Sequence, residues 1–128
     1  MIIRTLDEVI GTERDVAGEG WRSRRLLLKR DAMGFSLHDT VVEAGWEKEM
    51  EYANHLEACY LMQGEAEITD LATGQRYQLG PGAVYALDAY DRHRLHAKTE
   101  LRLVCVFNPA LAGGETHNES GGFERAPE

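Results

Sequence analysis

The sequence predicts an all-β fold, a small closed or double-sheet barrel preceded by a short helix and followed by a flexible tail. Three observations carry this. After Gly20, short segments rich in Val, Leu, Tyr and Phe alternate with glycine-containing turns, the pattern of a sandwich or barrel. No apolar stripe of helical period competes with them. At 128 residues, 43% hydrophobic and 28% charged, the chain suffices for one domain with a buried core and not for two.

The elements follow in order. Thr5-Leu6-Asp7-Glu8 has the Ser/Thr-x-x-Glu form of a capping box, and Gly11 stands where a short helix needs a left-handed terminus. Nine strands are expected, at 24–29, 35–42, 49–52, 57–62, 65–70, 75–78, 83–87, 93–97 and 101–107. Gln63-Gly64-Glu65 and Thr73-Gly74-Gln75 are hairpin candidates because glycine accepts the positive φ of tight turns, and Leu79-Gly80-Pro81-Gly82 ends a strand. Past Asn108-Pro109 the pattern fades. Residues 110–128 carry Gly113, Gly114, Gly121 and Gly122 with Glu115, Glu119, Glu124 and Glu128. Composition alone makes this a frayed terminus; the functional reading is a lid over a barrel mouth. The expected organisation is a single domain over 1–128, with helix and barrel in 1–109 and the lid or tail in 110–128.

Charge narrows the partners. With 14 Lys and Arg against 22 Asp and Glu, the formal net charge is −8. That charge, without a basic block, repels phosphate backbones and anionic lipid, so nucleic acid and membrane surfaces are excluded as expected partners. No apolar run reaches the roughly 18 residues of a membrane span, and the start of the chain lacks the order of a secretion signal. A cytoplasmic protein is expected, with Cys59 and Cys105 as buried thiols rather than a disulfide.

Side chains alternate along a strand, so parity sorts them. Glu57, Cys59 and Leu61 share one face, as do Leu101, Leu103, Cys105 and Phe107, then Ala83, Tyr85 and Leu87, and finally His93, Leu95 and Ala97. In 35–42 parity leaves two choices, Ser36, His38 and Thr40 or Phe35, Leu37 and Val41. If the four apolar faces converge, Glu57, Tyr85 and His93 stand in one chamber with two thiols and Phe107. Carboxylate, phenol and imidazole are O/N donors suited to iron and, with less discrimination, to other divalent ions. Taken singly, each has an ordinary structural use: a hydrogen-bonded core histidine, a packed tyrosine with a wet hydroxyl, a solvated glutamate.

The spacing resembles that of cupins. The chain reads Gly45…Tyr52-x4-Glu57-x6-Gly64 and Gly82-x5-Asp88-x-Tyr90-x2-His93, against the cupin motifs G(x)5HxH(x)3-4E(x)6G and G(x)5PxG(x)2H(x)3N. Glu57 and His93 fall on ligand positions. Met50 and Tyr52 replace the two histidines, Asp88 and Tyr90 the proline and glycine, and Ala97 the asparagine. The fold implied is a cupin-type jelly-roll β-barrel.

A closer resemblance spans nearly the whole chain. Gly11 through Val16, Trp21 through Arg25, Gly34-Phe35-Ser36-Leu37-His38-Asp39-Thr40, Asn54-His55-Leu56-Glu57-Ala58, Val84-Tyr85-Ala86-Leu87-Asp88, Asp91-Arg92-His93, Phe107-Asn108-Pro109 and Gly114-Glu115-Thr116-His117 occur in the order seen in L-ectoine synthases. The resemblance implies a homodimeric cupin that binds Fe(II) through Glu57, Tyr85 and His93, the three residues that parity had placed inward; Zn(II) and Mn(II) suit the same donors. It implies closure of N-γ-acetyl-L-2,4-diaminobutyrate to ectoine with loss of water. It also implies ligand contacts from Trp21, Arg25, Thr40, Tyr52, Phe107, Glu115 and His117. Arg25 would pair with the substrate carboxylate, Thr40 would add a donor, and Trp21 and Phe107 would form apolar walls. Tyr52, Glu115 and His117 are the expected acid/base residues, the last two spaced so that both face one mouth if the segment is extended. Two further readings stand beside this one: a cupin that binds a small metabolite without catalysis, since half the cupin ligands are missing, and an iron-dependent cupin dioxygenase.

Overall fold

The structure, a computed structural model, describes residues 1–119 and 121–124. Of the expected tail, Ser120 and 125–128 lie outside the described residues, Glu128 among them. Helix α1 (Leu6–Val9) carries the anticipated capping box: the Glu8 N–H donates to Thr5 Oγ1 at 3.3 Å and the Thr5 N–H to Glu8 Oε2 at 3.4 Å, while Gly11 turns left-handed at φ +80. The described strands are β1 (Asp15–Gly18), β2 (Trp21–Leu27), β3 (Ser36–Val42), β4 (Glu47–Met50), β5 (Leu56–Gln63), β6 (Ala66–Asp70), β7 (Arg76–Leu79), β8 (Val84–Leu87), β9 (His93–Ala97) and β10 (Leu101–Asn108). No described helix is long and apolar enough to cross a membrane.

Two antiparallel sheets form, in the orders β1-β2-β3-β10-β5-β8 and β4-β9-β6-β7. Strands distant in sequence lie side by side, as double-sheet jelly rolls require. One apolar cluster joins the sheets, with Leu61, Leu101 and Leu103 from the first against Ile68, Leu95 and Ala97 from the second. Each fully buried aliphatic side chain contributes about 1.5–3 kcal/mol.

Four expectations are corrected. Strand β1 was missed, because its four residues are half-buried or exposed and show no apolar alternation; it pairs along β2 at the sheet edge, Asp15 opposite Arg24. The strand expected at 24–29 begins at Trp21 and ends at Leu27, since Lys29 enters a 3-10 turn (Lys29–Asp31) whose Asp31 carboxylate accepts the Leu28 N–H at 2.9 Å. The strand expected at 49–52 is Glu47–Met50. Gln63-Gly64-Glu65 is not a hairpin: β5 and β6 belong to different sheets, and Gly64, at φ +96, passes so close to the Glu100 carbonyl that a Cβ would stand 2.2 Å from its oxygen. The Thr73-Gly74-Gln75 hairpin does form, between β6 and β7.

The tail is packed rather than frayed over its described residues. Ala110, Leu111 and Phe123 are buried, and the Leu111 N–H donates to Ser36 Oγ at 3.0 Å while its carbonyl accepts the Lys29 N–H at 2.8 Å. The glycines that suggested flexibility instead permit contact. A Cβ on Gly122 would lie 2.3 Å from the Glu51 carbonyl oxygen, and one on Gly121 2.7 Å from that of Glu49.

Candidate active site

Register across the six-stranded sheet places one row of polar side chains side by side. Arg25 on β2 faces His38 on β3, His38 faces Cys105 on β10, Cys105 faces Cys59 on β5, and Cys59 faces Tyr85 on β8. Phe107 and Glu57 form a second facing pair on the same sheet. The choice parity left open on β3 is thereby settled: Ser36 and His38 are buried, and Thr40 lines the cavity with His38. Trp21, Arg25, Thr40, Tyr52, Glu57, Tyr85, Phe107 and His117 all line this cavity. His93, on the opposite sheet, is not among the residues that line it: its ring lies 6.0 Å from that of Tyr52 and 6.5 Å from that of Tyr85, and with Tyr85 it lines an adjoining cavity.

The tail packs against the cavity, with His117 and Phe123 in its lining. Arg25, fully buried, donates from Nη1 to the Gly113 carbonyl at 3.0 Å, from Nη2 to the Glu115 carbonyl at 2.7 Å and from Nε to Ser23 Oγ at 3.2 Å. Two of its five N–H groups remain. Burial lowers its pKa to about 10, against the charges of Glu115 and Tyr52. His117 lies under Trp21, ring centroids 5.1 Å apart, and beside Phe123 at 5.0 Å. Lys48 Nζ is 3.1 Å from His117 Nδ1, and Tyr52 Oη is 3.0 Å from Nε2. An ammonium only donates, so Nδ1 is the acceptor and the Nε2–H donates to Tyr52, whose own hydrogen turns toward Met50 Sδ at 3.7 Å.

Glu115 does not join His117 in the cavity. Its carboxylate accepts the N–H groups of Ala112 and Gly113, both at 2.7 Å, and stands 3.8 Å from Arg25 Nη1. The two-residue spacing presumed an extended segment, and here the chain forms a loop.

Two buried groups at this chamber and the cavity beside it are suited to a cation. His93 Nδ1 lies 2.9 Å from the Asp91 carbonyl, so that nitrogen carries the hydrogen and Nε2 the lone pair. That Nε2 is buried and has no hydrogen-bond partner among the described residues. Glu57 is 7% exposed, and burial pushes its pKa up to about 7 against hydrogen bonds from Cys59 and Cys105. A lone pair and a carboxylate, both withdrawn from water, are what a divalent cation satisfies. The donor atoms that already lie within 4.8 Å of one another are those of Glu57, Cys59 and Cys105.

Sequence reasoning missed Ser23, Lys48 and Phe123 and left His38 undecided. Ser23 Oγ accepts from Arg25 and lies 3.0 Å from His38 Nδ1, so its hydrogen goes to His38 and the buried His38 Nε2–H, without a partner among the described residues, faces the cavity. Lys48 went unnoticed because the expected strand, 49–52, began two residues late and left it outside. Phe123 had a legible signal, being the one Phe, Tyr or Trp in the tail.

The tail's docking carries a pH dependence. Burial and the charges of Lys48, Arg25 and His93 push His117 down to about 3 from 6.5. Between these values the undocked tail binds the proton more tightly, so docking is at full strength above pH 6.5 and weakens as pH falls toward 3. In a Trp46→Phe background, Trp21 fluorescence is expected to change across that window while the far-ultraviolet circular dichroism of the barrel persists. A Trp21 signal that stays constant until the barrel unfolds contradicts this.

Comparisons with known proteins bear on the family and the fold. The ectoine synthase family model matches residues 1–127. An L-ectoine synthase of Desulfosudis oleivorans is 53% identical over 129 residues, covering 100% of each chain. The crystal structure of ectoine synthase from P. lautus superposes with a TM-score of 0.89 at 46% identity, covering 100% of this chain and 93% of that one. An RmlC-like cupin from Shewanella frigidimarina, 19% identical, shares the fold with a TM-score of 0.59 over 73% of this chain and 79% of its own. A cupin jelly roll, matched from end to end by one family, makes this chain a member of the ectoine synthase family.

Proposed function

We propose that the chain closes N-γ-acetyl-L-2,4-diaminobutyrate to L-ectoine: the α-amine attacks the acetamide carbon, and the acetamide oxygen leaves as water. Full-length family membership supports the reaction. The observation that carries the chemistry is the buried, unpartnered His93 Nε2, its ring 6.5 Å from that of Tyr85, with Tyr85 lining both the cavity that holds Glu57 and the adjoining one that holds His93.

Glu57, Tyr85 and His93 would hold a divalent metal, Fe(II) in this reading, with Zn(II) and Mn(II) suited to the same donors. When bound there, such a cation supplies Lewis-acid polarisation of the acetamide carbonyl, worth several kcal/mol. The remaining work belongs to side chains. The two free N–H groups of Arg25, with the Thr40 hydroxyl, bind the α-carboxylate, and Trp21 and Phe107 enclose the carbon chain, so that amine and carbonyl meet within one bent substrate. Burial and the Glu57 carboxyl hold the Tyr52 phenol protonated, which fits it to give a proton to the departing hydroxide. The low proton affinity of docked His117 makes it the group that orients Tyr52. Glu115, the other expected acid/base residue, has its carboxylate on the Ala112 and Gly113 N–H groups outside the cavity, so it takes no proton-transfer role in this proposal. The homodimer and the cytoplasmic setting implied by the family belong to the same proposal.

Tyr52→Phe keeps the ring volume and removes the proton. It is expected to lower kcat by about 100-fold to 10,000-fold, with smaller changes in KM and unchanged metal content; near-normal kcat excludes Tyr52 as the acid. The reaction itself is tested with substrate carrying oxygen-18 in the acetyl group. Ring product free of label, with labelled water released, supports the closure. Oxygen uptake points instead to a dioxygenase, and saturable binding without product to a binding protein.

A further inference from the structure

Cys59 Sγ and Cys105 Sγ lie 3.4 Å apart, and with the Glu57 carboxylate they form a buried group whose donor atoms are all within 4.8 Å of one another. Strand pairing builds it: Cys59 faces Cys105 across β5 and β10, and Glu57 precedes Cys59 on the same inward face. The sulfurs are well beyond the roughly 2.0 Å of a disulfide. They are close to the spacing two thiolates adopt on one tetrahedral zinc, where Zn–S bonds of about 2.3 Å give about 3.8 Å between sulfurs. All three residues line the cavity, so an ion can reach them.

We propose that Glu57, Cys59 and Cys105 form a metal site of their own, selective for thiophilic divalent cations such as Zn(II) and Cd(II), with water as the fourth ligand. Thiolate sulfur favours these ions over the harder cations that oxygen and nitrogen donors hold. On binding, two thiol protons leave to solvent, and two thiolates and one carboxylate surround the cation. Because Glu57 also belongs to the Glu57, Tyr85 and His93 set, the two occupancies exclude each other; that consequence alone rests on the proposed function.

The test is Cd(II) titration of the reduced, metal-free full-length chain, followed by ultraviolet sulfur-to-cadmium charge transfer and by cadmium NMR. The chain has two cysteines, so any thiolate-to-cadmium signal comes from this pair. The expected result is one cation per chain with a chemical shift in the two-sulfur range. Cys59→Ala, Cys105→Ala and Glu57→Gln should each weaken binding at least about 10-fold, whereas His93→Ala should leave it within about twofold of the unsubstituted chain. No sulfur-to-cadmium band at saturation, a shift typical of oxygen and nitrogen ligands only, or a loss with His93→Ala as large as with the cysteine variants would overturn the proposal. The NMR measurement needs no variant and stands if one fails to fold. None of these readouts depends on ring closure, so failure of that reaction leaves them interpretable.

Discussion

His93→Ala is expected to strip the chain of its metal and of ring closure together, and Glu57→Ala and Tyr85→Ala should do the same. His93 Nε2 is buried with no hydrogen-bond partner among the described residues, which costs the fold about 1–3 kcal/mol for a polar atom taken out of water. Glu57 carries a similar burden, its pKa raised to about 7 chiefly by burial. A cation that takes both donors relieves both costs. Losing even an outer partner of a ligand lowers metal affinity about 10-fold to 100-fold, so removing a direct ligand should cost at least the upper figure. Turnover should fall by a comparable or larger factor, since the carbonyl loses its polarising group. Metal content after gel filtration, measured beside product formation, decides the matter. Full metal stoichiometry in all three variants contradicts the ligand assignment.

Truncation after Ala112 should abolish turnover and leave the barrel folded. The cut keeps Leu111, which is fully buried and bonded to Ser36 and Lys29. It removes the two carbonyls that hold Arg25, the His117 ring that bonds Tyr52, and Phe123, whose ring lies 5.6 Å from the Arg25 guanidinium. Water then reaches Arg25, and Tyr52 loses the donor that orients it. Misplacing reacting groups by about 1 Å can cost about 100-fold, and here the mouth opens entirely. Circular dichroism and thermal melting should show a folded barrel with Tm lowered by several degrees; an active truncated chain contradicts the lid.

What was legible in the sequence follows from alternation along the strands. Strand β9 alternates strictly, and β5, β8 and β10 carry apolar residues on both faces, among them Tyr60, Met62, Val84 and Val104. The reading that Glu57, Cys59, Tyr85, His93, Cys105 and Phe107 share the inward side rests on taking the faces of the four strands to converge, and Tyr60, Met62 and Val84 are the exposed ones. Strand β3 has polar residues on its buried face, which left His38 and Thr40 undecided until register with β10 placed them. Strand β1 lies at an edge with little burial and left no pattern. Gly64 reads as a hairpin residue in isolation, and only the crossing between sheets, with the Glu100 carbonyl against it, explains the missing side chain. The tail misled for a related reason: glycine signals flexibility in composition and close approach in a packed structure, and Gly121 and Gly122 serve the latter. Residue types carried the chemistry of Arg25 and His117, but not that the tail's own carbonyls would occupy much of the guanidinium.

The most direct test of the central claim, metal-assisted ring closure in this chamber, is anaerobic incubation of Fe(II)-loaded protein with N-γ-acetyl-L-2,4-diaminobutyrate beside a metal-stripped control. Product is identified by mass spectrometry and NMR. The expected result is the cyclic product with metal and unchanged substrate without it, with activity restored when Fe(II) is returned to the stripped sample. Unchanged substrate from protein shown to be folded and iron-loaded, or equal turnover in the stripped control, would contradict it.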